Sequence, residues 1–436
     1  MQNISIFCMK EVAMLIEFRV KNFRSIRNEL VLSLVASKDK TLLKTNTQET
    51  DISAIPPLLR SAVIYGANAS GKSNLIKALQ CMCNIIIGSA QLQPGQNFDY
   101  SNLKTFSLDA DSKNHPSEFE ITFILNNVRY RYSFVLTAER IISEYLFVYN
   151  TFKPQQLFAR AIDPKTNKDF YKFSSGLKGK RNLWKEATRT NSLFLSMASQ
   201  LNSDQLQQVF NWFASNIIIL NRSVALNLDF TLNKLRQTDS KKDICNFLTA
   251  ADISISDISV DTQKILGQTL HIDHKTNKTE LRTSEGERHD IRFHHITETG
   301  EATFGLEDES HGTANILFYA PLIFETLKKG GTLVIDELDS TLHPLLLEKL
   351  IRMFHCPDDN KNGAQLVFTS HNTSLLDADN LFRRDQIWFV EKNIDQVSNL
   401  YALSDFSPRK NEALERGYLI GRYGGLPFLT DFQRKQ

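Results

Sequence analysis

The chain reads as an α/β protein. A mixed sheet flanked by helices is built around a phosphate-binding loop, with an antiparallel β lobe and a long mixed α+β insert before the last third. Three observations lead there. Gly66-Ala67-Asn68-Ala69-Ser70-Gly71-Lys72-Ser73 follows the apolar Ala62, Val63 and Ile64, a buried strand, and precedes a helix over Ser73 to Ile87. Phe119 to Leu125, Val128 to Leu136 and Tyr145 to Phe152 read as antiparallel strands joined by turns such as Asn126-Asn127. Finally, Thr332-Leu333-Val334-Ile335 reads as a buried strand delivering Asp336 and Glu337 at its C-terminal end, where ligands sit in parallel α/β sheets.

The loop residues suit phosphate chemistry. Gly66 and Gly71 let the backbone turn so that N–H groups point inward at phosphate oxygens, and the following helix adds the positive end of its dipole. Lys72 suits the β and γ phosphates, and Ser73 carries the hydroxyl that such loops place on Mg2+. Four positions match at fixed spacing in a chain with 18 Gly among 436 residues, which argues against an ordinary Gly-rich turn. Asp336 suits the water shell of magnesium. Glu337 suits a base that polarises an attacking water.

At 436 residues the chain calls for two or three lobes of about 150 residues each. The expected divisions are 1–88 with the loop, 89–152 as the β lobe, 153–300 as the insert and 301–436 as the return to the core. The net charge of +2 gives no whole-molecule field for DNA or an anionic membrane, so any basic surface must be local. Cys8, Cys81, Cys83, Cys245 and Cys356 are scattered and read as reduced thiols. No apolar run is long enough to span a membrane, and the N-terminus carries Lys10, Glu11 and Glu17 instead of a signal peptide. A cytoplasmic protein without a membrane partner is expected. Met14 opens the first convincing strand, so residues 1–13 read as an extension or an upstream start.

In chain order, Leu15 to Val20 and Leu30 to Val35 are strands flanking Asn22-Phe23-Arg24-Ser25. Leu75, Ile76, Ala78, Leu79, Met82, Ile85 and Ile86 form a helical core stripe. Helices are expected over Ser203 to Asn216 and Lys241 to Ala251. Lys178, Lys180, Arg181, Trp184, Lys185 and Arg189 form a basic run that is either a solvated face or a nucleic-acid contact. His271, His274, His289, His294 and His295 lack a compact ligand spacing and read as structural. Ser310-His311-Gly312-Thr313 precedes a helix over Ala314 to Leu327 interrupted by Pro321, ended by Gly330-Gly331. A helix starts near Pro344, and the strand Gln365 to Thr369 ends at Ser370-His371-Asn372.

These elements stand in an order that resembles the ABC-type P-loop ATPase heads of the SMC, RecF and OLD group. The resemblance is to stand-alone bacterial AAA-type ATPases of phage-defence modules, RloA-like and AriA-like proteins among them. It is strongest over residues 14–80 and 305–436, including the tail segments Asp385 to Lys392 and Gly421 to Gly424. It implies ATP and Mg2+ as ligands. It implies Ser310, Gly312 and Thr313 as the signature motif that caps the γ phosphate held by a partner subunit, Asp339 as the D-loop acid and His371 as the switch histidine. Arg24 would lie near the nucleotide; the other reading is a surface arginine. Ser310 to Thr313 departs from the longer transporter signature, and the Q-loop is open among Gln91, Gln93 and Gln96.

The function so implied is an ATP-hydrolysing switch that forms a homodimer or higher homo-oligomer through ATP and controls a separate nuclease or toxin. The second reading is a RecF/SMC-like ATP-dependent DNA clamp. Only about sixty residues follow His371, too few for a Toprim nuclease, and Asp377-Ala378-Asp379 reads as a solvated turn.

Overall fold

The computed structural model describes residues 13–52, 55–150, 153–221, 228–250, 255–273, 278–340, 342–378, 380–408 and 412–426. The chain divides into two compact units, one formed by residues 1–224 with 326–436 and the other by 225–325.

The larger unit begins with β1 (Ala13–Lys21) and β2 (Leu30–Ser33), an antiparallel pair. Between them Asn22 and Arg24 take left-handed φ values of 53° each. The Asn22 amide donates to the carbonyls of Ser112, His115 and Pro116, which explains why Asn serves in this tight turn. The short α1 (Leu43–Asn46), β3 (Thr47–Gln48) and β4 (Leu58–Leu59) lead into β5 (Ser61–Tyr65), buried at all five positions. α2 (Lys72–Gly88) follows the loop and buries the expected apolar stripe. After α3 (Ala110–Asn114) come β6 (Ser117–Leu125), β7 (Val128–Leu136), β8 (Ile141–Tyr149), β9 (Gln155–Ile162) and β10 (Asp169–Phe173).

The expected β lobe is wider than its sequence boundaries suggested. Its sheet has seven strands in the order β10-β9-β8-β7-β6-β1-β2, taking in strands from both sides of residues 89–152. Asn126 and Asn127, both at positive φ, form the two-residue hairpin turn between β6 and β7. β8 starts four residues earlier than expected; Phe152 lies outside the described residues. Next come α4 (Arg181–Ala187), α5 (Phe194–Gln200) and α6 (Asp204–Asn211), the last capped by the Ser203 hydroxyl and prolonged by a wider turn over Trp212–Asn216 into β11 (Ile217–Leu220).

The smaller unit holds α7 (Leu228–Leu235), α8 (Thr238–Ala250) and a three-stranded antiparallel sheet of β12 (Asp257–Asp273), β13 (Lys278–Thr297) and β14 (Gly300–Gly305). Ala251 and His274 lie outside the described residues, as does the side chain of His271. His289 contacts Thr262, His294 contacts Ser259 and Thr303, and His295 contacts Glu309, so these three serve the sheet. α9 (His311–Lys329) is one helix straight through Pro321. The interruption expected there is absent, although Pro321 supplies no N–H to the ladder.

The larger unit resumes at Thr326, within α9, and continues with β15 (Thr332–Ile335), α10 (Pro344–His355), β16 (Gln365–Thr369), β17 (Ile387–Lys392), β18 (Ser398–Ala402) and α11 (Leu414–Leu419). The second sheet runs β11-β15-β16-β5-β17-β18, parallel from β11 to β17 with β18 antiparallel at the edge. One hydrophobic cluster links both sheets through α2; it includes Phe18, Ile64, Leu79, Phe119, Phe134 and Val367. The fold is therefore α/β: a mostly parallel sheet, an antiparallel sheet and a separate insert unit.

Candidate nucleotide site

β5 lies in the middle of the second sheet, between β16 and β17, so the loop after it emerges at the C-terminal edge of parallel strands. Glycine is required twice by close approach. A Cβ on Gly66 would come within 2.2 Å of the Val390 carbonyl oxygen. Gly71 has φ of 118°, and a Cβ there would lie 2.2 Å from Ser398 Oγ. Lys72 is buried at the start of α2, and its Nζ donates to the carbonyls of Gly66 at 2.7 Å and Ala67 at 3.1 Å. Burial pulls its pKa below the ordinary lysine value, and the carboxylates of Glu337, Asp336 and Asp339 oppose that pull.

The acids come from the neighbouring strand ends. β15 stops at Ile335, so Asp336 and Glu337 lie just past the strand. Asp336 is buried, and its Oδ1 accepts from Thr369 Oγ1 at 2.7 Å. The same hydroxyl accepts the Glu337 N–H at 2.6 Å. Glu337 has φ of 54°, and His371 donates its backbone N–H to Asp339 Oδ2 at 2.8 Å.

The loop and Glu337 meet in one cavity of about 250 Å³, which Asp336 and Asp339 do not line. Its walls are residues 67–73 of the loop together with Asn74, Glu337, His371 and Lys392. The contents suit a phosphate chain with Mg2+. Lys72 and Lys392 supply positive charge, and the buried Ser70 Oγ has no hydrogen-bond partner among the described residues. No cluster of three or more His, Cys, Asp or Glu side chains able to hold a metal occurs among the described residues. Ser73 and Asp336 are the residues that would hold a magnesium ion, a cation that usually takes one or two protein ligands and leaves the rest to phosphate oxygens and water. A second cavity of about 1010 Å³ shares Ala67 to Ser70 and Lys392 with the first. It is bounded by residues 67–70, the turn between β17 and β18, and Gly421 to Leu426.

Other expected residues stand elsewhere. Arg24 does not line either cavity; its guanidinium donates to the Asn102 carbonyl and lies over the Phe23 ring. Gln91, Gln93 and Gln96 line neither cavity. Ser310 caps α9 in its own unit: its hydroxyl accepts the Thr313 N–H at 3.0 Å, and Ser310 is exposed while Thr313 is buried. In the basic run Trp184 is 2% exposed, so its ring offers no stacking surface to a base, and Arg189 and Arg181 are tied to backbone carbonyls.

Sequence reading missed Thr369, Lys392, Ser25 and Ser398. Thr369 is two residues from the histidine it singled out, and Ser25 is adjacent to Arg24. Lys392 ends a tail segment that carries the resemblance but receives no role from it, and Ser398 has no local signal, because only the pairing of β17 with β5 brings them to the loop.

A phosphate loop on a central parallel strand, facing paired acids at the end of β15, defines a P-loop nucleotide-binding protein of the α/β class. The chain belongs to the family described as "AAA domain, putative AbiEii toxin, Type IV TA system", whose model matches residues 61–377. No curated protein matches it. Among solved structures it is similar to the SMC head domain from Thermotoga maritima, at 14% identity and a TM-score of 0.37, over 89% of this chain and 98% of that one. It is also similar to an Smc head domain with an extended coiled coil bound to the C-terminal domain of ScpA, derived from Pyrococcus furiosus. That match has 13% identity and a TM-score of 0.42, over 94% of this chain and 98% of that one. No helix among the described residues is long and apolar enough to cross a membrane.

Proposed function

We propose that the protein is an ATP-binding and ATP-hydrolysing switch subunit that dimerises through ATP and controls a separate effector, a nuclease or a toxin. The observation that carries the hydrolytic reading is the shared cavity of Lys72, Ser73, Glu337 and His371. Loop N–H groups and Lys72 bind the phosphates, and Ser73 and Asp336 would hold Mg2+, which would supply charge neutralisation to the phosphate chain. Glu337 orients a water and takes its proton as the water oxygen bonds to the γ phosphorus and the bond from that phosphorus to the β–γ bridging oxygen breaks, releasing ADP, while His371 contacts the γ phosphate from the adjoining strand end.

Dimerisation is supported by the exposed start of α9, where Ser310 and Gly312 are available to a second copy's nucleotide. Asp339 would stand at that interface. ATP held between two copies shifts the monomer–dimer equilibrium, because it binds the pair better than either half. The effector role is supported by the toxin–antitoxin association in the family description.

Glu337→Gln is expected to keep ATP affinity within about threefold while slowing hydrolysis by ~100-fold or more, the scale of lost general-base assistance. Lys72→Ala should instead weaken nucleotide binding itself. Calorimetric titration with ATP and a phosphate-release assay separate the two; near-normal turnover in Glu337→Gln would remove Glu337 from the mechanism.

A further inference from the structure

The peptide between Ser70 and Gly71 is gripped by residues distant from it in the chain. Ser398 opens β18, is 1% exposed, and places its Oγ 2.7 Å from the Ser70 carbonyl oxygen and 2.8 Å from Ser25 Oγ. Its N–H donates to the Ser25 carbonyl at 2.8 Å. Ser25 Oγ also accepts from Asn74 Nδ2 at 2.7 Å. A Cβ on Gly71 would meet both hydroxyls, at 2.2 Å from Ser398 Oγ and 3.1 Å from Ser25 Oγ. The turn after β1, the first turn of α2 and the start of β18 therefore close on the one loop residue that can admit them.

The Ser398 hydroxyl is the donor, directed at the Ser70 carbonyl oxygen and at Ser25 Oγ, and the Asn74 amide donates to Ser25. In a trans peptide the C=O and N–H point in opposite directions. Neither Ser25 nor Ser398 lines the phosphate cavity, whereas Ser70 and Gly71 both do. Anchoring the Ser70 carbonyl on Ser398 thus turns the Gly71 N–H toward the cavity. The opposite orientation would present a carbonyl oxygen to phosphate.

We infer that Ser398 is a positioning residue for the phosphate loop: its hydroxyl, backed by Ser25 and Asn74, presets the Ser70–Gly71 peptide with its N–H facing the nucleotide phosphates. This rests on the nucleotide-site reading above. Such presetting acts on affinity, since the donor needs no reorganisation when phosphate arrives.

The test is MgADP binding by calorimetry, with steady-state ATP hydrolysis and thermal unfolding, on wild type, Ser398→Ala and Ser25→Ala. Ser398→Ala should weaken MgADP about tenfold and raise KM for ATP by a similar factor, the scale of one lost hydrogen bond. Its kcat should fall less than about threefold and its Tm should stay close to wild type. Ser25→Ala, which keeps the Ser398 hydroxyl, should weaken binding about threefold. MgADP affinity in Ser398→Ala within twofold of wild type overturns the inference while leaving the nucleotide site intact. Failure of the wild type to bind MgADP would instead remove the site itself. If Ser398→Ala does not fold, Ser25→Ala decides: weaker binding at unchanged Tm supports the role, and unchanged affinity overturns it.

Discussion

Glu337 occupies the left-handed region at φ of 54°, a conformation that costs a residue with a Cβ about 1–2 kcal/mol. Such strain persists where surroundings over-determine it, and Thr369 is the surrounding group here. One buried hydroxyl donates to Asp336 Oδ1 and accepts the Glu337 N–H, so it fixes a carboxylate orientation and a backbone conformation together. Thr369→Val keeps the shape of the side chain and removes both bonds. It should lower turnover about 10- to 100-fold and raise the Mg2+ concentration needed for half-maximal rate, as loss of a group supporting a metal ligand usually does. Hydrolysis rates over a Mg2+ series check this; Thr369→Ser should restore them, and an unaltered Mg2+ dependence would count against the link.

Among elements, α10 is fastened to the start of β5 through His355. The ring is buried, its Nε2 shares a hydrogen bond with Ser61 Oγ at 2.7 Å, and burial together with the Arg60 and Arg352 charges lowers its pKa to about 3. The unfolded chain, with an ordinary value of 6.5, takes up a proton first as pH falls. This contribution to stability is therefore complete above pH 6.5 and lost progressively down to about pH 3. Between pH 7.5 and 5.5 the wild type should lose about 1.4 kcal/mol from this one group. His355→Gln should show a correspondingly smaller difference in urea denaturation at the two pH values. In the other sheet, buried Glu144 accepts from the Tyr132 hydroxyl and from the Phe194 and Leu195 N–H groups at the start of α5, with Arg160 3.9 Å away. Burial raises the Glu144 pKa, and Arg160 lowers it. Arg160 also donates to Asp169, which keeps Arg140 at 3.1 Å, so Arg160→Met removes the cation from buried Glu144 alone and should cost about 3–5 kcal/mol, measurable as a shift of the denaturation midpoint.

For the whole molecule, the loop and the acids belong to one unit and the Ser310 turn to the other; the proposed switch predicts that a second copy's Ser310 and Gly312 complete the site. Glu337→Gln with ATP should shift from monomer to dimer mass in light scattering, and adding Ser310→Arg should keep it monomeric while ATP still binds; a dimer indifferent to ATP would contradict the switch. The sequence alone determined the phosphate loop, its strand and helix, and the acidic end of β15. Fixed spacing and apolar periodicity are local, and the chemistry demands those residue types. It also made the turn at Asn126-Asn127 legible, because two positive φ values select asparagine. Tertiary structure alone decided that β1 and β2 share a sheet with β6 to β10, that Arg24 turns toward Asn102, and that Ser25 and Ser398 meet behind Gly71. Those contacts join residues up to 373 positions apart, and strand pairing at that distance is set by burial of a shared core.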